Sequence, residues 1–195
     1  MKKAMYAFLG VLFIVVVWQA VSFSEPDGPP PQIAFDIPKS YIDTLLKNAP
    51  PAVDQQLRVV DMGKYNLGIG IIHRGPTNDK PGDPISGPYH DETAEVYIML
   101  SGSGILTTGG TMADKKPSPN YNILNGPGGN GTAGAGAYSR RLNAGDICII
   151  PPGVLHAWSQ ITDHVTYLSV RPDPDRVLPG GYVNPLLLNS LPTPK

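Results

Sequence analysis

Downstream of Asn48 no apolar spacing sustains a helix; short runs rich in β-branched residues, cut by glycine and proline, take its place. Runs at 55–61, 65–74, 95–101, 104–108, 146–150, 156–161 and 165–171 read as strands. The chain has 22 glycines and 22 prolines in 195 residues, but they punctuate the runs instead of forming low-complexity sequence. Many short strands joined by tight turns bury their apolar faces by stacking or by closing on themselves. The expected class is therefore all-β, a sandwich or barrel. A single helix is expected ahead of the strands, over 41–48. There Ile42, Leu45 and Leu46 form an apolar stripe and Ser40 serves as the N-cap.

The flanks read differently. Lys2 and Lys3 precede the apolar run "AMYAFLGVLFIVVVW" and the small-residue exit "QAVSFSEP", the three parts of a secretory signal peptide over 1–22. Cleavage after Ser22 or after Ser24 fits. The alternative is an uncleaved anchor, since the run extended to Val21 approaches the roughly 17 residues a membrane span needs. Only in that case is a membrane a partner. Both readings export the rest of the chain, to the periplasm or outside the cell. Residues 23–54 form a proline-rich lead-in with the short helix, 55–172 the strand-rich domain, and 173–195 a tail broken by prolines. Its "PLLL" at 185–188 calls for an apolar surface, on the barrel or on a partner subunit. The formal net charge of −1 offers no basic footprint for a nucleic acid. Cys148 is the only cysteine, so no internal disulfide forms, and within "DICII" it reads as a small buried hydrophobe. Residues 114–137, glycine-rich and without strand periodicity, are expected to be a disordered loop or a lid over a pocket.

Chemistry concentrates in "PYHDETAE", 88–95. Side chains alternate along a strand, so Pro88 and His90 face the same way. With 91–94 as a turn, Glu95 opens the returning strand beside His90, and Tyr97 and Met99 share its face. "SGSG" at 101–104 then ends that strand in another turn. A second segment, "GDICIIPPGVLHAWSQ", carries His156 just beyond a Pro-Pro-Gly turn, with Trp158 on the same face as a pocket wall. Two imidazoles and one carboxylate from separate strands form the set that holds a divalent metal and leaves positions open.

These residues resemble the two motifs of the cupin family. The first, G-x5-H-x-H-x(3,4)-E-x6-G, runs through Gly82, Pro88, His90, Glu95 and Gly102, with Pro88 in place of the first histidine. The second, G-x5-P-x-G-x2-H-x3-N, runs through Gly145, Pro151, Gly153 and His156, with Gln160 in place of the asparagine. The resemblance covers about 55–172 and implies a double-stranded β-helix, a small jelly-roll barrel, with a tendency to form homodimers. It implies metal ligands at His90, Glu95 and His156 and a ligand missing at Pro88. Either the three suffice, or His73, which shares strand parity with Leu67, Ile69 and Ile71, supplies a fourth, or the site is lost and the barrel is a binding module. The ion would be divalent iron, manganese, zinc or nickel. The spacing through Tyr97 also resembles that of cupin lyases acting on dimethylsulfoniopropionate. Tyr97 is thus the candidate catalytic base, its hydroxyl acidified by the cation, and Met99 and Trp158 are expected to line the pocket. The expected activity is that of a dioxygenase or a lyase/isomerase on a small oxygen-bearing substrate; the alternative is a non-catalytic binder of a small ligand or carbohydrate.

Overall fold

The computed structural model of the chain describes residues 34–48 and 54–190; the leader read over 1–22 and its cleavage sites lie outside them. Among the described residues no helix is long and apolar enough to cross a membrane. Helix α1 (Lys39–Asn48) is followed by β1 (Asp54–Asp61), β2 (Asn66–Arg74), β3 (Ser86–His90), β4 (Glu95–Thr108) and β5 (Met112–Pro117). Then come β6 (Gly128–Ala133), β7 (Tyr138–Asn143), β8 (Ile147–Ile150), β9 (His156–Ser159), β10 (Val165–Asp173) and a 3₁₀ turn, Pro185–Ser190. All strand pairs are antiparallel, and β1-β2-β10-β4 form the large sheet. Strand β8 pairs with the first half of β4, and β7 and β9 flank its second half. Strands β3, β6 and β5 make a second sheet. The class is all-β, as the strand pattern requires, with the strands in two antiparallel sheets.

Two apolar clusters hold the barrel. Ile72, Tyr97, Met99, Leu106, Cys148, Ile161, Val165 and Tyr167 fill the interior. Outside, Tyr41 and Leu45 of α1 and Leu187 of the 3₁₀ turn cover Leu57 and Ile71. The "PLLL" segment thus lies on its own barrel, with Leu187 fully buried and Leu186 and Leu188 exposed. Cys148 is buried and free, as its surroundings suggested.

Several local expectations are corrected. Helix α1 starts at Lys39, and Pro38 O accepts from Tyr41 N–H, so Ser40 lies inside the helix and is not its cap. Residues 101–104 do not end a strand. Strand β4 continues through them because Leu100 is bulged out, between Met99 opposite Tyr167 and Ser101 opposite Thr166. The bulge shifts the inward parity from Glu95, Tyr97 and Met99 to Leu106. Segment 91–94 is not a hairpin turn either, since β3 pairs with β6 and β4 with β10 and β8. It is an arch from one sheet to the other. Residues 114–137, expected to lack strands, contribute β6 and the last four residues of β5, and only 118–127 and 134–137 lie outside strands.

Candidate metal centre

His90 ends β3, Glu95 opens β4 and His156 opens β9, so strand ends from both sheets meet at one place. The turn that delivers His156 is tied to the strand that delivers His90, because Gly153 N–H donates to His90 O at 2.6 Å. Asp91 N–H donates to Pro127 O at 2.8 Å and fixes the start of the arch. The motif glycines are explained by the same geometry. Gly82, Gly102, Gly145 and Gly153 all hold φ between 74° and 94°, a region that costs glycine nothing. Gln160, at the motif's asparagine position, takes φ 48° and is held by its N–H donating to Asp79 Oδ2 at 2.8 Å. Asparagine tolerates that region better than most residues, which accounts for the motif's choice.

Glu95 Oε2 lies 3.0 Å from His156 Nε2 and 3.7 Å from His90 Nε2, and the three donor atoms fall within 4.8 Å of one another. An ion about 2.1 Å from each donor would set neighbouring donors about 3.0–3.5 Å apart, so the residues fit a divalent cation. His156 Nδ1 lies 3.0 Å from Val154 O; donating its proton there leaves Nε2 as the lone-pair nitrogen facing Glu95. The glutamate is divided in function. Its Oε1 accepts from Ser169 Oγ at 2.8 Å and from Arg171 Nε at 2.8 Å, while Oε2 faces the two imidazoles and accepts from Tyr97 Oη at 3.1 Å.

Behind the glutamate lies a buried charge network. Arg171, 1% exposed, also donates to Gln56 Oε1 at 2.7 Å and to Asp54 Oδ2. Gly68 and Gly70 face inward from β2 and leave the room. A Cβ at Gly68 would run into Gln56, and one at Gly70 would come within 3.1 Å of both Asp54 and Gln56. Two carboxylates share one guanidinium here. The excess negative charge is further reason for a cation at the His–Glu–His cluster.

Burial holds His90 neutral, lowering its pKa to about 4, although Glu95 pulls the other way. Burial opposes ionisation of Glu95 as well, but Arg171 and His156 outweigh it and keep the carboxyl well below its usual range. A neutral imidazole and an ionised carboxylate are the forms that bind metal. In the metal-free protein burial, and Glu95 after it, push the Tyr97 hydroxyl well above its usual range, and it donates to Glu95 Oε2.

A cavity of about 330 Å³ reaches the cluster at His156 and is also lined by Tyr97, Pro88, Trp158, Ile161 and Arg74. The position without a ligand atom is therefore part of the cavity wall. Trp158 lines the cavity as expected, whereas Met99 packs into the interior apolar cluster and does not line it. His73 is not among the convergent donors. Its Nδ1 lies 2.8 Å from Thr166 Oγ1 and its ring stacks on His164 at 5.5 Å. The expected parity of β2 was inverted: Ile69 and Ile71 face α1, and Gly68, Gly70, Ile72 and Arg74 face inward. Sequence reasoning missed Arg171, Ser169, Asp54, Gln56 and Arg74. The available signal was Ser169 and Arg171 at inward parity in the otherwise apolar strand "VTYLSVR".

Two antiparallel sheets, with this cluster between the ends of their strands, frame a candidate metal centre. No protein-family model matches the chain, and no curated protein matches it. Solved structures of similar fold include a Bacillus halodurans protein, 14% identical, covering 81% of this chain and 91% of its own, with a TM-score of 0.44. A Klebsiella pneumoniae protein with a double-stranded β-helix domain is 17% identical, covering 72% of this chain and 93% of its own, with a TM-score of 0.38. An oxalate oxidase in complex with glycolate is 16% identical, covering 65% of this chain and 54% of its own, with a TM-score of 0.39. At these identities the likeness is one of fold.

Proposed function

We propose that this protein is a metal-dependent enzyme that holds one divalent ion through His90, Glu95 and His156 and acts on a small oxygen-bearing organic molecule. One observation carries the reading: three donors converge, and one of them, His156, lines a cavity in whose wall Pro88 offers no fourth donor. A bound ion would supply Lewis acidity, or a place for dioxygen beside the substrate, which gives the lyase/isomerase and dioxygenase readings respectively. The chain's own residues define the rest. Ser169 and Arg171 hold Glu95 Oε1, so that only Oε2 is presented to the centre. Tyr97 donates at that same oxygen and borders the cavity, where its hydroxyl can give a hydrogen bond or a proton to a substrate oxygen. Trp158, Ile161 and Pro88 give that cavity an apolar wall.

Elemental analysis of untagged protein, with Glu95→Gln and His156→Ala alongside, tests this. The expected result is near one equivalent of metal in the wild type and less than a tenth of that in either variant. Iron would direct assays to oxygen uptake, and zinc, nickel or manganese to elimination and isomerisation. A wild type that takes up no metal after reconstitution would overturn the proposal in favour of a non-catalytic binder.

A further inference from the structure

Arg74 ends β2 at inward parity and lines the same cavity as His156, Tyr97 and Pro88. Its Nε donates to Tyr167 Oη at 3.2 Å, and Trp158 Nε1 donates to the same oxygen at 3.1 Å. Tyr167 is fully buried, its ring 4.4 Å from that of Tyr97, so one edge of the guanidinium is fixed to a rigid aromatic group. Among the described residues Tyr167 is its only hydrogen-bond partner, and no carboxylate lies within ion-pair distance of it. The contrast with Arg171, bonded to Glu95, Gln56 and Asp54, is informative. One arginine is consumed by the fold. The other has no second hydrogen-bond partner among the described residues and shares its cavity wall with the apolar Pro76, Pro88, Ala157, Trp158 and Ile161 and with the hydroxyls of Thr77 and Ser86. The charge of Asp54 acts on Arg74 from beyond ion-pair distance, which leaves the planar fork of the guanidinium to match a carboxylate.

We infer that the substrate is a small carboxylate, its carboxyl group paired with Arg74 while a second oxygen of the same molecule faces His90, Glu95 and His156. The cavity, about 330 Å³, is at the small end for ligand sites and suits a compact acid. The second contact rests on the metal reading above; the pairing with Arg74 does not.

Isothermal titration calorimetry on metal-stripped protein separates the two. The probes are acetate, malonate and benzoate, each beside its neutral amide, against wild type, Arg74→Gln and Arg74→Lys. The wild type should prefer at least one acid over its amide by on the order of 10- to 100-fold, the span of a charge-assisted hydrogen bond. Arg74→Gln should lose that preference and Arg74→Lys retain part of it, with melting temperatures close to wild type. No acid preference in the wild type, or one that persists in Arg74→Gln, overturns the inference. Repeating the titrations on cobalt(II)-loaded protein tests the other contact. The acid should then perturb the cobalt visible spectrum in wild type and Arg74→Gln alike, with weaker affinity in the variant. Protein that prefers the acid but fails to load cobalt would overturn the metal centre and leave the Arg74 pairing standing.

Discussion

Arg171 ties the candidate centre to the outermost strand of its sheet, since it contacts Glu95 on β4 and Gln56 and Asp54 on β1. Substitution by methionine keeps the bulk and removes the charge, leaving two buried carboxylates without their cation. Loss of one partner from a buried pair costs about 3–5 kcal/mol. Arg171→Met should therefore lower the urea midpoint of the metal-free protein by that equivalent, and an unchanged midpoint would contradict the role given to this network. At this scale the sequence was half legible. His90, Glu95 and His156 stand out because each occupies a fixed place in a spaced motif. Arg171 and its partners do not, because a buried ion pair is assembled from strands more than a hundred residues apart. No local spacing records it. His73 misled for a related reason: an apolar row on one face of β2 looks the same whether it meets the barrel interior or a covering helix.

At the level of elements, β4 matters most, because one continuous strand, bulged at Leu100, pairs with β10 and β8 in its first half and with β7 and β9 in its second. Gly102 holds φ 74°, and a Cβ there would run into the His164 carbonyl. Gly102→Ala should destabilise the fold by roughly 2–4 kcal/mol, through backbone strain and a steric clash with backbone. Thermal melting would show it, whereas Gly136→Ala, with a similar φ but no backbone atom closer than 3.8 Å, should cost less. The glycine-serine cluster was read as a turn because turns and bulges draw on the same residues. Strands β5, β6 and β7 escaped notice for a simpler reason. "MADKKP", "GGNGTA" and "YSRRLN" place little apolar surface in the core, so they carry no alternation to read. The interior strands were legible because the core writes its pattern into them.

For the molecule as a whole, the neutral His90 makes stability depend on pH. Its ordinary pKa of 6.5 falls to about 4 in the fold. As pH drops below about 6.5 the unfolded chain takes up a proton that the folded chain refuses, so stability declines until both forms are protonated near pH 4. The full effect is on the order of 3 kcal/mol. Glu95, depressed in the fold, adds to the loss in the same direction, but only below its unfolded value of about 4.5. Urea midpoints of metal-stripped wild type should fall across pH 6.5 to 4 more steeply than those of His90→Asn. Equal slopes would count against a buried neutral histidine.

Strand β10 is the last in the chain and lies between β2 and β4 in the sheet. Strand β2 is joined to β4 only through β10, so the large sheet must wait for residues 165–173 to arrive. Until then β2 and β4 each present a bare edge, and such long-range pairing is slow to form. A nascent chain stopped short of Val165 has β1 and β2 unjoined to the rest of the large sheet. That sheet closes as a late event, and the His90–Glu95–His156 cluster is complete only once β9, immediately upstream of β10, has taken its place.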